Sequence, residues 1–222
     1  MAKKLFLLLV LAALVAGGAF AQLSMSGGGG LFFSTNFGGG IEERVAAAGG
    51  VPAYTIKMNM SFTGVGAYAF FDASYVEISA GFLYGFAGSL NASTSLTGTF
   101  ATDPIKEKAT MMGINFGFLG KYPFHVAPNV VVFPAAGIEY QMFLTTTIDG
   151  DKVSDPGESN SLWIRAGGGF DYYITKTMFI RGTALYGLRF ANSWEKDMAK
   201  ASSVDAKLGH SITIRAAIGF SF

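Results

Sequence analysis

From residue 23 onward the hydrophobic positions recur at every second residue, the period of a strand with one apolar face. Eight stretches carry that alternation, at Leu23–Ser34, Ile56–Phe71, Val76–Leu90, Met111–Tyr122, Val130–Leu144, Ser161–Tyr173, Met178–Phe190 and Leu208–Phe222. Each is as long as the ~9–11 residues that a tilted strand needs to cross a bilayer. Long polar links at 37–55, 91–110, 145–160 and 191–207 take turns with short ones near Asp72–Tyr75, Pro123–Asn129 and Ile174–Thr177. Such strict alternation puts every long link at one end, as in an up-and-down antiparallel barrel. The pattern predicts an all-β fold, an eight-stranded antiparallel transmembrane β-barrel.

The two faces of the stretches differ in chemistry. One face holds Ile56, Met58, Met60 and Phe62, then Val76, Ile78, Phe82, Tyr84 and Phe86, then Ile114, Phe116, Phe118, Ile138 and Tyr140. It continues through Leu162, Ile164, Phe170, Ile180, Tyr186, Leu188, Ile212, Ile214 and Ile218, with His210 as its one ionisable side chain. Nine charged residues take the opposite parity: Lys57, Glu77, Lys121, Glu139, Arg165, Asp171, Arg181, Arg189 and Arg215. Glycines 81, 85, 113, 117, 137, 167, 169 and 187 share that charged face, as a crowded interior requires. A soluble barrel would turn its large apolar residues inward and its charges to water, so the charge-free face is predicted to meet lipid. A charge there costs about 2–4 kcal/mol at mid-membrane.

Half the residues are hydrophobic and only 14 % are charged, yet beyond the N-terminus no apolar run is long enough for a membrane helix. Lys3 and Lys4 precede the run LFLLLVLAALVAGGAF, and Ala19-Phe20-Ala21 supplies small residues where a signal peptidase reads. Residues 1–21 are therefore expected to be a cleaved signal helix, and residues 22–222 the barrel domain. The absence of Cys rules out disulfides, thiolate metal sites and thiol nucleophiles. Without Lys3 and Lys4 there remain 16 − 2 = 14 basic against 15 acidic residues, which argues against a nucleic-acid partner.

This pattern resembles the small eight-stranded bacterial outer-membrane barrels, the OmpA/OmpX/OmpW-like group. The residues that carry the likeness are the leader through Ala21, the eight stretches, and a last stretch with Phe222 and Phe220 at its end and Ile218, Ala216 and Ile214 behind them. The resemblance implies a bacterial outer-membrane location and export through the periplasm. It also implies that Ile218, Phe220 and Phe222 form an assembly signal read by the outer-membrane insertion machinery. Outer-membrane lipid is the other expected partner, and a monomer is the expected state. OmpA itself carries a peptidoglycan-binding domain after its barrel; here the expectation is a barrel alone, with no cell-wall tether.

The nine charges sum to six positive and three negative, an interior of net +3. An eight-stranded lumen is just wide enough for its own side chains, so unpaired charges there would be costly. The expectation is a plug of ion pairs in a non-enzymatic structural or surface-interaction barrel. The alternatives are a narrow, anion-leaning porin-like path and an OmpW-like conduit for hydrophobic molecules. A conduit would want an apolar upper lumen, whereas the charges run the length of the expected strands. A lipid-modifying enzyme would need a rim His and Ser acting together, but His210 and Ser211 are adjacent on a strand and point to opposite faces.

DGDKVSDPGES opens with Asp149 and Asp151 at calcium-loop spacing but has Ser154 where the Gly belongs and Asn160 where the closing Glu belongs. A solvated loop is expected, and no cofactor or metal. The four long links hold seven basic and eleven acidic residues, a hydrophilic outer rim. Pro134 is expected at a bulge or rim, and Gly27–Gly30 at a strong local bend where the barrel closes.

Overall fold

The computed structural model describes residues 24–45, 54–96, 105–154, 157, 160–190 and 204–222, so the leader and much of the long links lie outside the described residues. Ten strands follow one another: β1 Met25–Val45, β2 Tyr54–Ala73, β3 Val76–Leu96, β4 Ile105–Lys121, β5 Phe124–Ala127, β6 Val130–Ile148, β7 Asp151–Lys152, β8 Ser161–Tyr173, β9 Met178–Arg189 and β10 Val204–Ser221. β5 and β7 are short accessories paired to the two ends of β6. The other eight are the staves of a barrel, each antiparallel to its neighbours, and β10 pairs with β1 to close it. Closure gives each of the eight described staves a partner on both sides, which is the condition for strands to sit in hydrocarbon.

Stepping from partner to partner around the ladder leads from Gly28 to Phe70, Ser79, Gly117, Glu139, Trp163, Arg189, Gly209 and back to Gly38. One circuit thus climbs 38 − 28 = 10 residues, the stagger that tilts the strands and sets the width of the barrel. Phe220 and His210 lie 220 − 210 = 10 residues apart on β10. At ~3.3 Å per residue and a tilt of ~40°, that separation spans about 25 Å, the height of a lipid-facing apolar band.

Outward side chains build that band. Ile78, Phe82, Phe116, Phe118, Ile138, Ile164, Ile214 and Ile218 are all exposed. At the short-turn end, Tyr75 stacks on Tyr122 with centroids 5.6 Å apart, Tyr122 meets Phe124 at 4.9 Å, and Phe71 meets Phe222 at 6.3 Å. At the opposite end Phe37 stacks on His210, and the His210 ring meets Tyr186. These are the two aromatic girdles of a membrane barrel. Phe220 and Phe222 face outward, and the Phe222 amide donates to the Met25 carbonyl at the closing seam.

Several staves run further than their alternation predicts. β1 continues to Val45, pairing Glu42 with both Lys57 and Asp205. Above the bilayer a ladder needs only backbone partners, so the signal of alternation fades while the strand does not. The extension passes through a bulge: between Asn36↔Phe62 and Ile41↔Met58, β1 uses five residues against four, with Gly39 at φ +83°. β3 carries another, where Thr63↔Ala87 is followed by Gly64↔Gly85 and Phe86 is left over.

β2 itself is unbroken, and Phe62, Tyr68, Phe70 and Asp72 all point inward. Phe62, expected against lipid, is therefore inside. The described even positions of β2 from Phe62 to Asp72 face the lumen, whereas Ile56, Met58 and Met60, also expected against lipid, have side chains outside the described residues. Pro134 lies in register opposite Gly168, with no bulge there. Its missing N–H points towards β4 just past the last ladder pair, Lys121↔Ala135, while its carbonyl accepts from Tyr122. The glycines of β1 also pair without a bulge. At Gly28 and Gly30 a Cβ would collide with the β10 carbonyls of Ile218 and Ala216, so these glycines allow close approach at the seam.

Candidate functional site

The lumen holds the chemistry. At its short-turn end Arg181 of β9 meets three carboxylates. Nε donates to Asp171 Oδ1 and Nη2 to Asp171 Oδ2, both at 2.7 Å, so Asp171 is held by a two-pronged contact. Nη1 donates to Glu77 Oε2 at 2.9 Å, and Nη2 also lies 2.8 Å from Asp72 Oδ2. Lys121 adds its ammonium at 2.6 Å from Asp72 Oδ2, and Ser26 donates its hydroxyl to the same oxygen. Phe70, Phe179 and Phe133 crowd the Arg181 guanidinium at 4.3, 5.1 and 5.2 Å from their centroids.

A second ionic layer lies higher. Arg165 Nη2 donates to Glu139 Oε1 at 2.6 Å, Nη1 donates to the Ser211 hydroxyl, and the guanidinium sits 4.8 Å from the Trp163 ring. Arg215 joins the layers: Nη2 donates to Glu139 Oε2 at 2.5 Å while Nη1 is 3.6 Å from Glu77 Oε1. Above this, Trp163 Nε1 donates to Ser161 Oγ and Gln141 Oε1, and Gln141 Nε2 donates to Asn115 Oδ1. Phe62, Leu83, Met111 and Phe143, all buried, then form an apolar collar, with Phe62 and Phe143 edge to face at 5.9 Å.

Backbone geometry makes room for these groups. A Cβ on Gly187 would strike both the Arg165 guanidinium and Ser211 Oγ, so that contact depends on a bare Cα at 187. Inward glycines also receive aromatic rings, with Phe32 against Gly66, Phe133 against Gly169 and Phe179 against Gly219. Bulky aromatics therefore occupy the interior as well as the lipid face, because each ring finds a glycine on a neighbouring strand.

Of the nine charges assigned to the lumen, Glu77, Lys121, Glu139, Arg165, Asp171, Arg181, Arg189 and Arg215 are buried and inward. Lys57 is not among them. Its side chain is 48 % exposed, 3.9 Å from the buried Glu42 that pairs with it in the ladder. Asp72 belongs inside instead. It was hidden because the β2–β3 turn is shorter than the sequence suggests, and only its even parity with Tyr68 and Phe70 could have shown it. The described buried charges are then five cations and five anions, Glu42 included, and sum to zero rather than +3. The apolar collar interrupts the charges, which continue with Arg189 against Gly39 and Gly209 and with the buried Glu42 beyond.

Outside the lumen, His210 Nδ1 hydrogen-bonds the Tyr186 hydroxyl at 2.5 Å while Ser211 turns inward to Arg165. The two residues thus lie on opposite sides of the wall. Asp149 and Gly150, both with positive φ, form the tight turn after β6, and Asp149 Oδ1 accepts from the Lys108 amide. Its carboxylate thus ties the turn to the neighbouring strand β4.

No protein-family model matches the chain, and no curated protein does. Solved structures similar to it include the outer membrane protein OprG from Pseudomonas aeruginosa, 11 % identical over 90 % of this chain and 96 % of that one, with a TM-score of 0.45. Ail, the attachment invasion locus protein of Yersinia pestis, crystallised with the heparin analogue sucrose octasulfate, is 11 % identical over 90 % of this chain and 100 % of that one, with a TM-score of 0.36. The N-terminal β-barrel domain of Pseudomonas aeruginosa OprF is 12 % identical over 88 % of this chain and 99 % of that one, with a TM-score of 0.31.

Proposed function

We propose that this chain is an integral outer-membrane β-barrel that neither conducts solutes nor catalyses a reaction, and that it serves as a rigid membrane stake displaying its long polar links. The lipid-facing band between two aromatic girdles supports membrane insertion. The observation that carries the rest is the filled lumen. A continuous set of ion pairs runs from Lys121 through Asp72, Arg181, Glu77, Arg215 and Glu139 to Arg165, and a collar of four apolar side chains lies above it. Pairing leaves little surplus charge to draw an anion through. The separation of His210 from Ser211 supports a non-enzymatic role. Links anchored on a rigid barrel are where contact with other molecules takes place.

Planar-bilayer recordings test this reading. Purified protein should give no stepwise conductance while showing heat-modifiable gel mobility, the sign of a folded barrel. Reproducible openings from folded protein would replace the plug with a pore.

A further inference from the structure

Between the two ionic layers lies a cavity of about 10 Å³, lined among others by Tyr68, Ser79, Asn115, Glu139, Thr213 and Arg215. Two atoms of its wall, the Tyr68 hydroxyl and Arg215 Nη1, are buried and have no hydrogen-bond partner in the protein. Their residues are only 7 % and 6 % exposed. Tyr68 is fixed in place by Phe32, edge to face at 6.3 Å, and by Phe70 at 6.1 Å. Arg215 is held through its other nitrogen by Glu139, and the Glu77 carboxylate at 3.6 Å from Nη1 is beyond hydrogen-bond reach. Neither group can turn to a better partner without breaking what holds it. Burying a polar group unmet is costly, and such groups are ordinarily met by water when protein does not meet them.

The cavity has the size of one water, which needs roughly 10–15 Å³ and two to four polar partners. The ligand must also be neutral. Arg215 on the wall repels a cation, and Glu139 on the wall repels an anion. We propose that this cavity is a binding site for a single structural water, which accepts from Arg215 Nη1 and hydrogen-bonds the Tyr68 hydroxyl. Its remaining capacity goes to the oxygens of Ser79, Asn115, Thr213 or Glu139. The water fastens the middle of the ion-pair chain, where the protein's own contact between Glu77 and Arg215 is longest. The site deepens the filled-lumen reading yet fails separately from it, because conductance tests the plug and the water is tested by stability and density.

Tyr68→Phe keeps the ring and deletes the hydroxyl. If the hydroxyl is bonded to water, the variant in lipid vesicles should unfold at lower urea, with the folding equilibrium constant reduced by about fivefold, the usual worth of one satisfied hydrogen bond. An unchanged or higher midpoint would mean that the hydroxyl has no partner and would overturn the proposal. A crystal structure with ordered water resolved supplies the second reading. Density for one water within ~2.6–3.2 Å of both Tyr68 Oη and Arg215 Nη1 is expected. A dry cavity, an ion, or a direct Tyr68–Arg215 bond would each overturn it, whatever the urea midpoint shows.

Discussion

Arg181 shows at the scale of one residue why an interior charge here is structural. It touches Asp72, Glu77 and Asp171 at once, so Arg181→Ala would strand Asp171 and leave Asp72 to Lys121 and Glu77 to its longer contact with Arg215. Removing one partner from a buried pair costs about 3–5 kcal/mol, and a loss of at least that size should appear in urea titrations of the refolded protein. Gly187→Ala acts on the same network from the backbone. The added methyl group falls where Arg165 reaches Ser211, and overpacking of this kind costs about 1–3 kcal/mol. Melting in detergent should show the drop, with Gly150→Ala an unsuitable control because of its positive φ and Ala136→Gly a better one. These residues were legible to different degrees. Of the eight charges assigned from sequence and found buried, seven sit on strands whose parity is plain and Lys121 closes β4 on the same parity, whereas Asp72 lies at the very end of β2, where parity and turn compete.

At the scale of a strand the decisive property is which face a residue takes. Ile214 stands outward near the middle of the band, 55 % exposed, between inward Thr213 and Arg215. Ile214→Arg should lower stability by about 2–4 kcal/mol, measured as refolding yield and urea midpoint in vesicles. Lys57→Ala should change it by no more than about 1 kcal/mol, since that side chain is half exposed above the band and its pair with Glu42 is long. A large loss at Lys57 would return it to the lumen. β2 shows why a face can be misassigned. Its own ladder is regular, so Phe62 shares the inward parity of Tyr68 and Phe70, and an aromatic ring at that position reads as lipid-facing unless the parity is followed along the strand.

For the whole molecule the closed circuit of ten residues fixes how much space the eight staves enclose. Rings from Phe32, Phe70, Phe133 and Phe179, two ionic layers and the apolar collar occupy it in turn. The absence of stepwise conductance follows as the expected behaviour of the intact barrel. Loosening the chain of ion pairs at Arg215, which joins the layers, is the change by which a conductance could be brought out, and Arg215→Ala recorded beside the native protein would show it.

The sequence by itself determined the eight membrane-crossing strands, their up-and-down order and the lipid face of most of them, because period-two alternation and the exclusion of charge from hydrocarbon are local rules readable strand by strand. It also determined that the interior would be charged. Only the tertiary structure decided which charge meets which, that Asp72 enters the lumen and Lys57 leaves it, and that rings seat on glycines to form shelves between the ionic layers. Those outcomes depend on where each strand ends and on the stagger between strands far apart in the chain, which no single strand records.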